Sequence, residues 1–140
     1  MKVALALLTA AFGLAAVNYA VQAADAGKKA ARVFEMRTYY ASPGKMTALH
    51  ARFREHTNKL FEKHGMTLVG FWSPIKPDEA EKKMVYLLAF PSKQAAEASW
   101  KAFQADPDWQ AARTESEKGG KLVERVESVY LNPTDYSPMQ

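Results

Sequence analysis

The sequence predicts an α+β domain of order β-α-β-β-α-β, a four-stranded antiparallel sheet with its helices on one face. Three observations carry this. Four segments alternate or run apolar over strand lengths: "VFEMRTYY", "MTLVGFWS", "MVYLLAF" and "LVERVESVYL". Of two longer segments between them, the first repeats apolar residues at spacings of three and four and the second is rich in alanine. Proline, glycine and capping residues gather at the joints.

The chain has 140 residues, 48% of them hydrophobic and 24% charged, which suits a single core in a soluble globular domain. Residues 1–23, "MKVALALLTAAFGLAAVNYAVQA", combine an early Lys2, an apolar run and a Val21-Gln22-Ala23 ending of the type a signal peptidase cuts. The expectation is a cleaved signal peptide and export to the periplasm or beyond, with an uncleaved membrane anchor as the alternative. Residues 24–32 read as a flexible leader, 33–133 as the domain and 134–140 as a C-terminal tail.

The chain contains no cysteine, so it has neither a disulfide framework nor a lipid-modified Cys behind the signal; after cleavage no membrane attachment is expected. Loss of Lys2 lowers the formal charge from +4 to +3, because no acidic residue precedes Asp25. Basic and acidic residues are interleaved, which argues against nucleic acid as a partner.

Val33 to Tyr40 reads as the first strand. In "SPGKMTALHARFREHTNKLFEKHG", Ser42 is placed to cap a helix, Pro43 suits its first position and Gly65 its end. Met46, Leu49, Phe53, His56 and Leu60 form the inward stripe. Met66 to Ser73 and Met84 to Phe90 are the next strands, joined by a proline-marked loop. Ser92 to Ala105 is a second helix, and Asp106-Pro107-Asp108 supplies a cap, a first-position proline and an acid for a short third one ended by Gly119-Gly120. Leu122 to Leu131 is the last strand. This is the ferredoxin-like order.

Right-handed crossovers put both main helices on one side of such a sheet. The inner strands are apolar on both faces: Met66, Leu68 and Trp72 against Val69 and Phe71, and Met84, Tyr86, Leu88 and Phe90 against Val85, Leu87 and Ala89. The uncovered face therefore predicts a homodimer closed sheet to sheet, the alternative being a monomer with an exposed apolar face. On the first strand Phe34, Met36 and Tyr40 are expected under the helices, leaving Glu35, Arg37 and Tyr39 toward the partner. That stripe is either an ion-pair ladder with Arg125 and Glu127 of the last strand, or a cation and a phenol presented to an acidic or aromatic ligand in an inter-sheet cavity.

"FEMRTYYASPGKM", "FREHTNKLFEKHGMTLVGFWSP", the "DPDW" turn and "ESVYLNP", in that order, resemble the NIPSNAP domain of the dimeric α+β-barrel superfamily over about Val33 to Pro133. The resemblance implies the ferredoxin-like fold and the dimer. It carries no reaction with it, because most such domains have no assigned activity.

His56, on the apolar stripe, is the next candidate: a base, haem ligand or anion contact, or else a neutral core histidine satisfied by a carbonyl or hydroxyl. His50 and His64 make no i, i+4 pair with it, so no metal site is expected. Trp72 and Tyr86 are aromatics for core or ligand, and Trp100, Phe103 and Trp109 are expected to pack the helices. The chain lacks a Cys nucleophile, a Gly-x-Ser-x-Gly elbow, a phosphate loop and a dinucleotide glycine pattern.

Two functions stay open. One is an exported dimeric module binding a small apolar or aromatic molecule or a protein, without a cofactor, through Arg37, Tyr39, His56, Trp72 and Tyr86. The other is an enzyme like the cofactor-free monooxygenases or haem-handling proteins of that superfamily, with His56 as base or axial ligand.

Overall fold

The computed structural model describes residues 32–140; the expected signal peptide and residues 24–31 of the leader lie outside the described residues. The strands are β1 (Val33–Ala41), β2 (Thr67–Trp72), β3 (Lys83–Phe90) and β4 (Val123–Leu131). They form one antiparallel sheet in the order β2-β3-β1-β4, with Arg37 opposite both Tyr86 and Ser128. The fold is the ferredoxin-like α+β arrangement that the order of segments predicts.

Ser42-Pro43-Gly44-Lys45 is a turn rather than the start of a helix. The Lys45 N–H donates to the Ser42 carbonyl at 2.9 Å, and Gly44 holds φ at +70°, the combination of a type II turn with proline second and glycine third. Helix α1 (Met46–Arg52) follows, then a π-helical segment (Phe53–Thr57) and helix α2 (Asn58–Lys63). The short helix α3 (Pro77–Ala80) lies in the β2–β3 connection. Helix α4 (Lys93–Ala105) is capped by Ser92, whose Oγ accepts from the Ala95 N–H. Asp106 caps α5 (Pro107–Ser116) by accepting from the Asp108 N–H at 2.8 Å.

The π segment displaces the stripe expected on the first helix. It takes in one extra residue per turn: the Asn58 N–H reaches back to Phe53, and the Thr57 hydroxyl donates to the Arg52 carbonyl at 3.2 Å. Thr57 consequently occupies the inward position and is 2% exposed, while the His56 side chain is 48% exposed.

Beneath α1, α2 and α4, Leu49, Phe61, Tyr86 and Leu88 are fully enclosed, each burial contributing about 1.5–3 kcal/mol. Phe53, Phe61 and Tyr86 meet at centroid distances of 5.4–6.1 Å.

The two faces of β1 are the reverse of the expectation. Glu35, Arg37 and Tyr39 face the helices, aligned with Leu88, Tyr86 and Met84 of β3, and Glu35 is 1% exposed. Phe34, Met36 and Tyr40 lie on the other face with Ala89, Leu87 and Lys83. Glu35 and Arg37 therefore cannot form a ladder with Arg125 and Glu127, which stand opposite Tyr40 and Thr38 and pair with each other. In β2 the register shifts between Leu68 and Gly70, so Leu68 and Phe71 pair with the helix-facing Leu88 and Tyr86 while Trp72 pairs with Val85.

The face without helices carries an apolar patch, with Met36, Trp72, Val129 and Leu131 all exposed, beside a charged end formed by Lys83, Arg125 and Glu127. At one end of it the C-terminal residues fold back: Phe34 is buried against a hollow that Leu87, Leu131, Pro133 and Met139 also line, and Arg32 Nε donates to the Gln140 carbonyl at 2.7 Å.

Candidate functional site

β4 is an edge strand, and α5 packs on α1 and α4 rather than over it. A cleft of about 600 Å³ is left between the helix-facing side of β1 and β4 and the two last helices. Arg37, Tyr39 and Val126 floor it; Trp100, Phe103 and Trp109 wall it; Arg52 reaches in from α1.

Its floor is organised around a buried carboxylate. Glu35 accepts from Trp100 Nε1 at 2.5 Å, from Ser128 Oγ at 2.6 Å and from Arg37 Nη1 at 2.9 Å, so a charge that would be costly alone is satisfied on both oxygens. The Arg37 guanidinium also lies over the Trp100 ring, 4.1 Å from its centroid. Burial opposes the charge on Arg37, but Tyr86, Tyr39 and Glu35 outweigh it and raise its pKa above the ordinary value.

A second arginine is built in the same way at the other end. The Arg52 side chain is 4% exposed; its Nη1 donates to Glu117 Oε1 at 3.1 Å, and its guanidinium lies over Trp109 at 5.2 Å. Partial burial works to raise the Glu117 pKa, yet the hydrogen bond and charge of Arg52 prevail and lower it. Arg37 Nε and Arg52 Nε are both buried with no hydrogen-bond partner among the described residues.

The cleft gathers only part of the set expected to bind. Arg37 and Tyr39 line it, on the helix side of the sheet and not between two sheets, because β1 presents its polar stripe to the helices. Tyr86 lies in the core, fully enclosed, 5.2 Å from the Tyr39 ring; its hydroxyl has no partner among the described residues, and burial pushes its pKa well above 10. Trp72 borders a separate hollow of about 270 Å³ with His50, Phe53 and Asn58. His56 lines a groove between α1 and α5 and sits 3.9 Å from Glu55; no histidine lines the main cleft among the described residues. It is thus neither a core histidine nor a group facing the sheet.

Trp100, Phe103 and Trp109, expected only to pack the helices, also wall the cleft, and Arg52 and Arg113 line it with no role expected from the sequence. Arg52 stands three residues after Leu49, on the inward stripe, and that spacing was the available signal. His64 Nε2 pairs with Asp106 at 2.6 Å and Lys63 reaches the same carboxylate at 2.8 Å, which ties the end of α2 to the α4–α5 joint. Among the described residues no cluster of His, Asp and Glu could hold a metal ion, and no helix is long and apolar enough to cross a membrane.

Fold and site together define a ferredoxin-like α+β domain with a cationic, aromatic-walled cleft beside its edge strand. Residues 34–138 match the family model for NIPSNAP, and the chain belongs to the NIPSNAP family. Solved structures share the fold. An uncharacterized NIPSNAP domain protein from Burkholderia xenovorans is 24% identical with a TM-score of 0.63, over 76% of this chain and 98% of that one. A NIPSNAP family protein of unknown function from Agrobacterium tumefaciens is 24% identical with a TM-score of 0.67, over 81% and 97%. A second Agrobacterium family member is 22% identical with a TM-score of 0.67, over 78% and 99%. No curated protein matches the chain.

Proposed function

We propose that the mature chain is an exported, dimeric small-molecule-binding module whose ligand occupies the cleft between the sheet and α4 and α5. The observation that carries this is Arg37, held by Glu35 and Trp100 on the floor of a hollow large enough for a small molecule. Charged groups fixed by buried partners are pre-organised, so a ligand meets them without an ordering cost. The signal-like residues 1–23 support export, and Met36, Trp72, Val129 and Leu131 on the bare sheet face support a second copy as its cover. Nothing around the exposed His56 favours the oxygenase or haem reading.

Native mass spectrometry of protein purified from the exporting cell tests the reading. A bound small molecule that is released on denaturation and carried at lower occupancy by Arg37→Gln supports it. Wild-type protein without added mass, and without thermal stabilisation by any of a broad set of small organic acids, refutes it.

A further inference from the structure

Resting on the cleft-binding reading, we propose that the ligand is a flat aromatic carboxylate, its anion at the Arg52–Arg113 end and its ring along Trp109, Phe103 and Trp100. The charge balance at the two ends of the cleft differs. At the floor, Glu35 is matched to Arg37 alone among charged groups, and that pair is neutral. At the other end a single carboxylate, Glu117, serves both Arg52, at 3.1 Å, and Arg113, at 3.4 Å. One positive charge is left over there.

The uncompensated charge also has an unused donor. Arg52 is almost fully buried, commits Nη1 to Glu117 and leaves Nε without a partner. A buried donor left in this state is costly unless something completes it, and a planar carboxylate matches guanidinium geometry. Of the charged residues that line the cleft, Arg37 is matched by Glu35 and Arg125 by Glu127; Arg52, Arg113 and Lys121 then stand against Glu117 and Glu124, an excess of one positive charge that favours an anion.

The body of the ligand follows from the wall. Trp100 and Phe103 are 5.7 Å apart and Phe103 and Trp109 4.5 Å apart by centroid, a continuous run of rings that begins at Arg52 and ends at Arg37. A fused or single aromatic ring gains stacking along that run, while a short aliphatic acid does not. Tyr39 borders the far end of the cleft, where the ring would stop.

Isothermal titration of the mature chain with 2-naphthoate, 2-naphthalenemethanol and 2-naphthyl phosphate tests this. The expected result is binding of naphthoate at least tenfold tighter than of the uncharged alcohol and tighter than of the phosphate. Arg52→Gln is expected to weaken naphthoate at least tenfold. Arg113→Gln, at an exposed position that leaves folding intact, is expected to weaken it severalfold, and Arg37→Gln less than either. Alcohol binding as tightly as the acid overturns the anion site and leaves the cleft reading standing. Tighter binding of the phosphate overturns the carboxylate class, and a larger effect at Arg37 than at Arg52 and Arg113 overturns the placement. If none of the three binds, the inference fails, and bound mass in the native protein decides the cleft reading separately.

Discussion

Replacing Glu35 by leucine tests how the buried floor is held. In the native protein this carboxylate accepts three hydrogen bonds at 2.5–2.9 Å and is 1% exposed. Its removal strands the Arg37 guanidinium and the Trp100 indole N–H together. Breaking a buried pair from one side costs about 3–5 kcal/mol, and an unsatisfied buried donor adds about 1–3 kcal/mol. Arg37 keeps 18% of its side chain exposed, which allows water some access and puts the total near the lower end, about 4 kcal/mol. A domain of this size has about 5–15 kcal/mol in all, so the variant should be marginal. Urea unfolding at neutral pH measures it as a fall in midpoint with the slope preserved. Adding Arg37→Met should restore about half the loss, because the stranded charge goes and the stranded indole stays. A loss below about 1 kcal/mol in Glu35→Leu would refute the account of the floor as an obligatory charge cluster.

Hydrogen bonds from Lys63 and His64 hold the Asp106 carboxyl below its ordinary value of 3.8, so the stability it contributes is present above that value and is lost as pH falls through the acid range. Asp106→Asn keeps an N-cap and should flatten the acid limb of a pH series of thermal melts; an unchanged limb would show that the pair contributes nothing. Met36→Asp with Val129→Asp, on the bare sheet face, should convert a dimer to a monomer by light scattering without unfolding it, and wild-type protein that is already monomeric would refute the face-to-face assembly. His56→Ala should change stability by no more than about 0.5 kcal/mol and leave ligand binding intact, as expected of an exposed side chain. Phe61→Ala should cost about 3–5 kcal/mol in the same urea assay, since Phe61 is fully enclosed and touches Phe53, Tyr86, Trp100 and Phe103.

The errors in reading the sequence have specific causes. The alternation of "FEMRTYY" separates Glu35, Arg37 and Tyr39 from Phe34, Met36 and Tyr40 correctly, but alternation defines two faces and not which of them the helices cover. Hydrophobicity argued for putting phenylalanine and methionine under the helices. The decision depended instead on Trp100 and Ser128, which lie 65 and 93 residues away in the chain and complete the hydrogen bonding of Glu35. His56 was misplaced for a local reason: a constant 3.6-residue period cannot register the extra residue that the π segment accommodates. The bulge between Leu68 and Gly70 misplaced Trp72 in the same way, by changing the phase inside a strand.

Periodicity and punctuation were enough to determine the order of elements, the antiparallel ferredoxin-like sheet and the cap at Asp106, because each is written in short-range spacing or local backbone preference, whereas the family was legible as a resemblance of four short stretches in order. The cleft, its floor of Glu35, Arg37 and Trp100, and the shared Glu117 between two arginines were decided only by the tertiary structure. Burial makes a charged residue acceptable only when distant partners converge on it, and that convergence is a property of the packed chain rather than of any segment.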